Sequence, residues 1–258
     1  MISRVLILLS LTTFPVMADF NTLILEQVRT MPSGGGYATD LAAHTGLAAS
    51  VVPGPTAEID PTKAMPGYCS GGTYLVFLKT LAALEDKGSL SLSASTWEAV
   101  RPRLRPDGKD TLPDGEGIWG RWNANGPGTA RLFFELGLGK NFTDFSQARP
   151  GDFLKIFWTD AVGKKERGHS VVYLGEETMN GGDMIRYWSS NQPDGMGERS
   201  VPRAKIVHAI FSRLEHPEIL QAVDRLPTRD SYLAGLLKTE SNFSEACRKA
   251  GIRSEPPE

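Results

Sequence analysis

Residues 153–212 carry four short runs, 153–158 (FLKIFW), 170–174 (SVVYL), 184–190 (MIRYWSS) and 207–212 (VHAIFS), each rich in β-branched and aromatic residues. Turn-forming stretches with Gly or Pro separate them. Side chains that are stiff or broad near Cβ suit a pleated, half-buried surface, so these runs read as successive antiparallel strands. Upstream the pattern differs. Residues 73–86 (TYLVFLKTLAALED) lack Gly and Pro, are apolar nearly all round, and lie between Gly71-Gly72 and Gly88, which reads as a buried helix. Shorter helices are expected over 21–30, 96–104 and 129–136, and beyond His216 over 219–226, 231–239 and 243–250. Helices first and strands second is the α+β order, not the alternation that builds a parallel sheet. The stretch 32–67, with Gly34-Gly35-Gly36 and Val52-Pro53-Gly54-Pro55, reads as loop or short helix.

The first 18 residues, MISRVLILLSLTTFPVMA, combine one positive charge at Arg4, a short apolar run from Val5 to Leu11, and small residues up to Ala18. That is the pattern of a secretory signal cleaved after Ala18, and the run is too short to span a bilayer. The mature chain is therefore expected outside the cytoplasm, secreted or periplasmic, with no membrane span. The formal charge of −2 comes from 28 Lys and Arg against 30 Asp and Glu, an excess too small and of the wrong sign to neutralise a phosphate backbone. No nucleic-acid partner is expected. Oligomeric state is not legible. With 2 cysteines the chain cannot be a disulfide scaffold.

One of those cysteines stands where chemistry is favoured. Cys69, in Gly67-Tyr68-Cys69-Ser70-Gly71-Gly72, lies just ahead of the apolar helix, where unpaired N–H groups and the positive end of the helix dipole favour a thiolate. His169, in Gly168-His169, opens an otherwise apolar strand and is the candidate base. An acceptor is then needed for the other imidazole N–H, and the next strand ends in Ser189-Ser190-Asn191. Strand alternation places Ser189 and Asn191 on one face, so register alone does not choose between them. The longer reach of the amide oxygen favours Asn191. Tyr68 and Ser70, beside the cysteine, and Trp119 and Trp122, in the 117–123 segment GIWGRWN, are candidates for the oxyanion and substrate-binding surface. The two tryptophans serve core packing equally well. His44, His208 and His216 form no metal-ligand spacing, so neither metal nor cofactor is expected.

Three segments resemble the NlpC/P60 cysteine peptidases and amidases of bacterial cell-wall turnover and their CHAP relatives. Tyr68-Cys69-Ser70-Gly71 is similar to the start of that family's nucleophile helix, Pro150-Gly151-Asp152 to its entry into the first core strand, and Gly168-His169 to its histidine strand. Their order agrees, and the likeness covers 67–212. It implies a papain-like α+β fold and a Cys69/His169/Asn191 thiol hydrolase cleaving an amide bond in peptidoglycan fragments or another peptide substrate.

Tyr68 stands where that family has Asp, and the 100 residues from Cys69 to His169 imply an insertion over 86–128. The resulting organisation is a signal over 1–18, a catalytic domain over 19–215 and a helical extension over 216–258. Other readings keep the fold without catalysis, as a cell-wall binding module or inhibitor, or keep the chemistry with a protein or lipid substrate. The alternative for Cys69 is a structural thiol or a pairing with Cys247, whose expected role is packing one face of the last helix with Phe243, Ala246 and Ala250.

Overall fold

A computed structural model describes residues 19–110, 112–179 and 181–253; the signal-like stretch 1–18 lies outside the described residues. The chain opens with α1 (Phe20–Arg29), β1 (Gly34–Gly35), α2 (Leu41–Ala49), β2 (Val51–Val52) and β3 (Glu58–Ile59). Four helices follow, α3 (Cys69–Asp86), α4 (Ala94–Val100), α5 (Gly117–Asn123) and α6 (Gly128–Leu136). The strand-rich half holds β4 (Gly139–Phe142), β5 (Phe153–Phe157), β6 (Val162–Gly163), β7 (Gly168–Met179), β8 (Gly182–Asn191), β9 (Gly195–Pro202) and β10 (His208–Leu214). A 3-10 segment over Pro217–Arg225, then α7 (Ser231–Gly235), β11 (Glu240–Ser241) and α8 (Phe243–Lys249), completes the described chain.

The result is a mixed α+β structure around a 7-stranded sheet in the order β1-β9-β8-β7-β5-β10-β4. Each of its pairings is antiparallel. The four strands read from sequence are β5, β7, β8 and β10, but they do not pair simply in succession. β10 returns to lie between β5 and β4, and its place beside β8 is taken by β9, which forms an eight-pair ladder from Met184↔Pro202 to Asn191↔Gly195. The β9 sequence, GMGERSVP, has little strand propensity of its own; the long ladder to β8 overrides it.

Strand alternation divides the sheet's side chains. Val172, Trp188 and Phe153 pack with Leu75, Phe77 and Leu78 of α3, while Leu154, Ile156, Val171, Tyr173, Ile185 and Tyr187 form a cluster with Phe211 on the opposite face. Small residues bring α3 close to the sheet: a Cβ on Gly72 would lie 3.4 Å from the Ser190 backbone nitrogen. The helix begins at Cys69, one turn before the Gly-free run that announced it.

Asp152, fully buried in the Pro-Gly-Asp segment, fastens three elements. Its Oδ1 and Oδ2 accept from Arg213 of β10 at 2.8 and 2.6 Å, and Oδ1 accepts from Asn21 of α1 at 2.9 Å. The C-terminal segment is also tied in: β11 pairs with β6, and Arg131 of α6 meets Asp230 at 2.8 Å. Among the described residues no helix is long and apolar enough to cross a membrane.

Candidate active site

The site forms where the start of α3 meets the open ends of β7 and β8. Tyr68, the residue before the helix, is extended and offers no side-chain cap, so the first-turn N–H groups are left without that acceptor. Cys69 is the first helical residue and is half-buried. Burial by itself pushes its thiol up. The hydrogen bond and charge of His169, the Ser170 backbone N–H and the Lys155 ammonium outweigh burial and bring the thiol down to about 6. It is therefore mostly thiolate at neutral pH.

His169 sits at the start of β7, paired in register with Ile156. Its Nε2 lies 3.1 Å from Asn191 Oδ1, at the end of β8. Tyr187 is edge-on to the imidazole at 5.6 Å between ring centroids. Cys69, His169 and Asn191, three residues spread over α3, β7 and β8, are thus brought into one line of contacts. Ser189 is turned elsewhere: its hydroxyl donates to the Ser170 carbonyl at 2.7 Å.

The remaining candidates fall differently. The Tyr68 side chain is buried, and its hydroxyl contacts His44 Nδ1 at 2.6 Å. Ser70 donates to Asn123 Oδ1 at 2.6 Å, so its hydroxyl is oriented along the cleft wall. Trp119 and Trp122 are 1% and 2% exposed and pack at tilted angles against Tyr74. Of the two readings open for these rings, packing fits Trp119: α5 turns both rings inward because an apolar helix face beside Tyr74 and Phe77 gains more from burial than from a wet groove. Trp122 contributes only part of the cleft floor and donates to Thr73 Oγ1 at 3.3 Å.

Two residues escaped the sequence reading. Tyr37 comes from the Gly-rich stretch after β1 and lies against the cysteine: its hydroxyl donates to the Cys69 sulfur and accepts from the Cys69 backbone N–H. Burial, the thiolate charge and the bond to the sulfur push the Tyr37 phenol up, so it remains a proton donor. No local signal marked it, because its role depends on a strand pairing between β1 and β9 across the sheet edge. Asp114 is the other. It is buried in the wall of a cleft of about 420 Å³ that also contains Cys69, Tyr37, His44 and Asn123. Burial raises its carboxyl to about 6, against the lowering effects of the Asn125 N–H, the Lys155 charge and the Asn123 side chain.

A second cleft, of about 430 Å³, lies on the histidine side and contains His169, Asn191, Trp158 and Tyr187. Tyr37, Glu166 and Gly168 border both clefts, so the two adjoin, Cys69 lining the first and His169 the second. Among the described residues no cluster of His, Cys, Asp or Glu has the arrangement of a metal site. Both cysteines are free. The arrangement is that of an activated thiol with a base and a fixed partner for that base, capable of acyl transfer. Comparison with family models, with curated proteins and with solved structures returned no match.

Proposed function

We propose that this chain is an exported thiol hydrolase with a papain-like arrangement, cleaving an amide bond in the stem peptides of peptidoglycan by way of a Cys69 acyl-enzyme. The observation that carries the reading is the contact series from the uncapped start of α3 through His169 to Asn191, with the Cys69 thiol held down at about 6. In this mechanism the thiolate attacks the amide carbonyl. The imidazolium of His169 gives its proton to the departing amine, and then takes one from the water that releases the acyl group. Asn191 holds the ring in position.

Negative charge develops on the carbonyl oxygen during attack. The Cys69 N–H and the Tyr37 hydroxyl lie beside the sulfur, the N–H bonded to the phenol and the phenol to the thiolate, and both exchange those partners for the oxygen as the sulfur attacks. Export rests on the signal-like first 18 residues, and the substrate class rests on the three-segment resemblance to NlpC/P60 proteins.

Digestion of purified peptidoglycan, with mass spectrometry of the new termini, tests the reading. The expected result is release of stem-peptide fragments by the wild type and none by Cys69→Ala. Cleavage by Cys69→Ala at the wild-type rate would remove covalent catalysis by this thiol, and an intact substrate with a reactive Cys69 would move the substrate to another protein or a lipid.

A further inference from the structure

The two halves of the groove differ in charge, and the chemistry assigns each half a role. His169 must deliver its proton to the leaving nitrogen, so the departing half of the substrate lies on the histidine side of Cys69. The acyl half then extends into the cleft that holds Asp114 and Asp110.

On the histidine side, the cleft wall carries two arginines, Arg167 and Arg199, and one acid, Glu166. Arg199 is paired with Asp194, and Glu166 is held by Lys155 at 2.6 Å. The Arg167 side chain is exposed, and its guanidinium has no hydrogen bond, ion pair or ring contact among the described residues. Its position is set by the sheet. The Trp158 N–H donates to the Arg167 carbonyl at 2.9 Å, which continues the β5–β7 ladder beyond Phe157↔Gly168. Arg167 directly precedes β7, two residues before His169, and lines the same cleft as the imidazole.

The acyl side has the opposite character. Lys155 and Glu166 neutralise one another there and Asp110 is paired with Arg105 at 3.9 Å, which leaves the buried Asp114 as the acid of that wall, while burial lowers the His44 imidazole.

We propose that Arg167 receives a carboxylate carried by the leaving amine, making the substrate an amide whose departing half is an amino acid or short peptide with a carboxylate next to the scissile bond. The guanidinium presents paired N–H donors that match a carboxylate, and Asp114 in the acyl-side cleft disfavours the reversed orientation. The inference rests on the hydrolase reading of Cys69 and His169 and adds a specificity-determining residue to it.

Two small alkylating reagents that differ only in charge test this directly. Iodoacetate carries a carboxylate and iodoacetamide a neutral amide; both react with the same thiolate, so the ratio of their rates at Cys69 cancels the state of the sulfur and reports the field acting on the carboxylate. The measurement is made at pH 7 and low ionic strength on the full protein. In Arg167→Gln the iodoacetate-to-iodoacetamide ratio is expected to fall by about threefold or more, with the iodoacetamide rate little changed; Arg167→Lys should keep most of the ratio, and salt near 0.5 M should erase the difference. An equal ratio in wild type and Arg167→Gln overturns the assignment. Failure of the parent reading looks different: iodoacetamide would then react no faster with Cys69 than with Cys247 in the wild type.

Discussion

Asn191 presents only its oxygen to His169. The Nδ2 of the amide donates to the carbonyls of Ser189 and Gly197 at 3.0 and 2.9 Å, which leaves Oδ1 facing the imidazole Nε2 at 3.1 Å. Nε2 must therefore carry the proton, and Nδ1 is the ring atom left to face Cys69 as base.

Removing this orientation should impair turnover without abolishing it. Asn191→Ala is expected to lower kcat by about 10- to 100-fold, less than the full loss of a general base, which is worth about 10²–10⁴. Ser189→Ala removes a hydrogen bond to the Ser170 carbonyl and should cost about 1 kcal/mol of stability with kcat nearly unchanged. Steady-state kinetics and urea unfolding of the two variants separate the cases. The reverse pattern would shift the third residue of the site to Ser189.

The thiols should divide sharply with pH. A depressed pKa means that thiolate is present above it and is lost as pH falls through it, so alkylation of Cys69 by iodoacetamide should be half-maximal near pH 6. Burial pushes the Cys247 thiol up to about 11, so at pH 7 that residue should react far more slowly. Cys247→Ser should leave the Cys69 profile unchanged. A Cys69 midpoint near the ordinary thiol value of about 8.5 would show that His169 and Ser170 do not hold the thiolate in solution.

Asp152 should be a stability residue. Asp152→Ala leaves the buried Arg213 guanidinium without its paired carboxylate, and Asn21 loses an acceptor. Breaking one partner of a buried pair typically costs about 3–5 kcal/mol. Denaturant unfolding should show this loss, and a change below about 1 kcal/mol would mean that water replaces the pair without penalty.

Asp114 predicts a pH dependence of stability with a defined sign. Its folded pKa, about 6, lies above the ordinary aspartate value of 3.8, so between those values the folded state holds more protons than the unfolded chain. Its contribution is therefore fully present below about pH 4 and is lost as pH rises through 6. Asp114→Asn removes the titration while keeping an acceptor for the Asn125 N–H. Unfolding midpoints compared at pH 4.5 and pH 7 should show a smaller decline in the variant than in the wild type; equal declines would place the carboxylate in contact with water.

The sequence by itself determined the α+β order, the helix that follows Cys69 and the strand that His169 opens. These rest on local properties: side-chain periodicity, the absence of Gly and Pro over 73–86, and turn residues between the strand runs. Tertiary structure decided the rest. β9 exists because β8 offers it a full ladder, despite a Gly- and charge-rich sequence that resists strand formation alone. Trp119 and Trp122 face inward because Tyr74 and Phe77 stand behind them, which no spacing within 117–123 reveals. Ser189 and Asn191 share a strand face, and only the position of the His169 ring separates them. Tyr37 reaches the sulfur from a residue 32 positions before Cys69, through a pairing of two glycines with the far sheet edge. Local sequence encodes backbone preference, whereas contact between distant side chains depends on which surfaces the whole chain buries together.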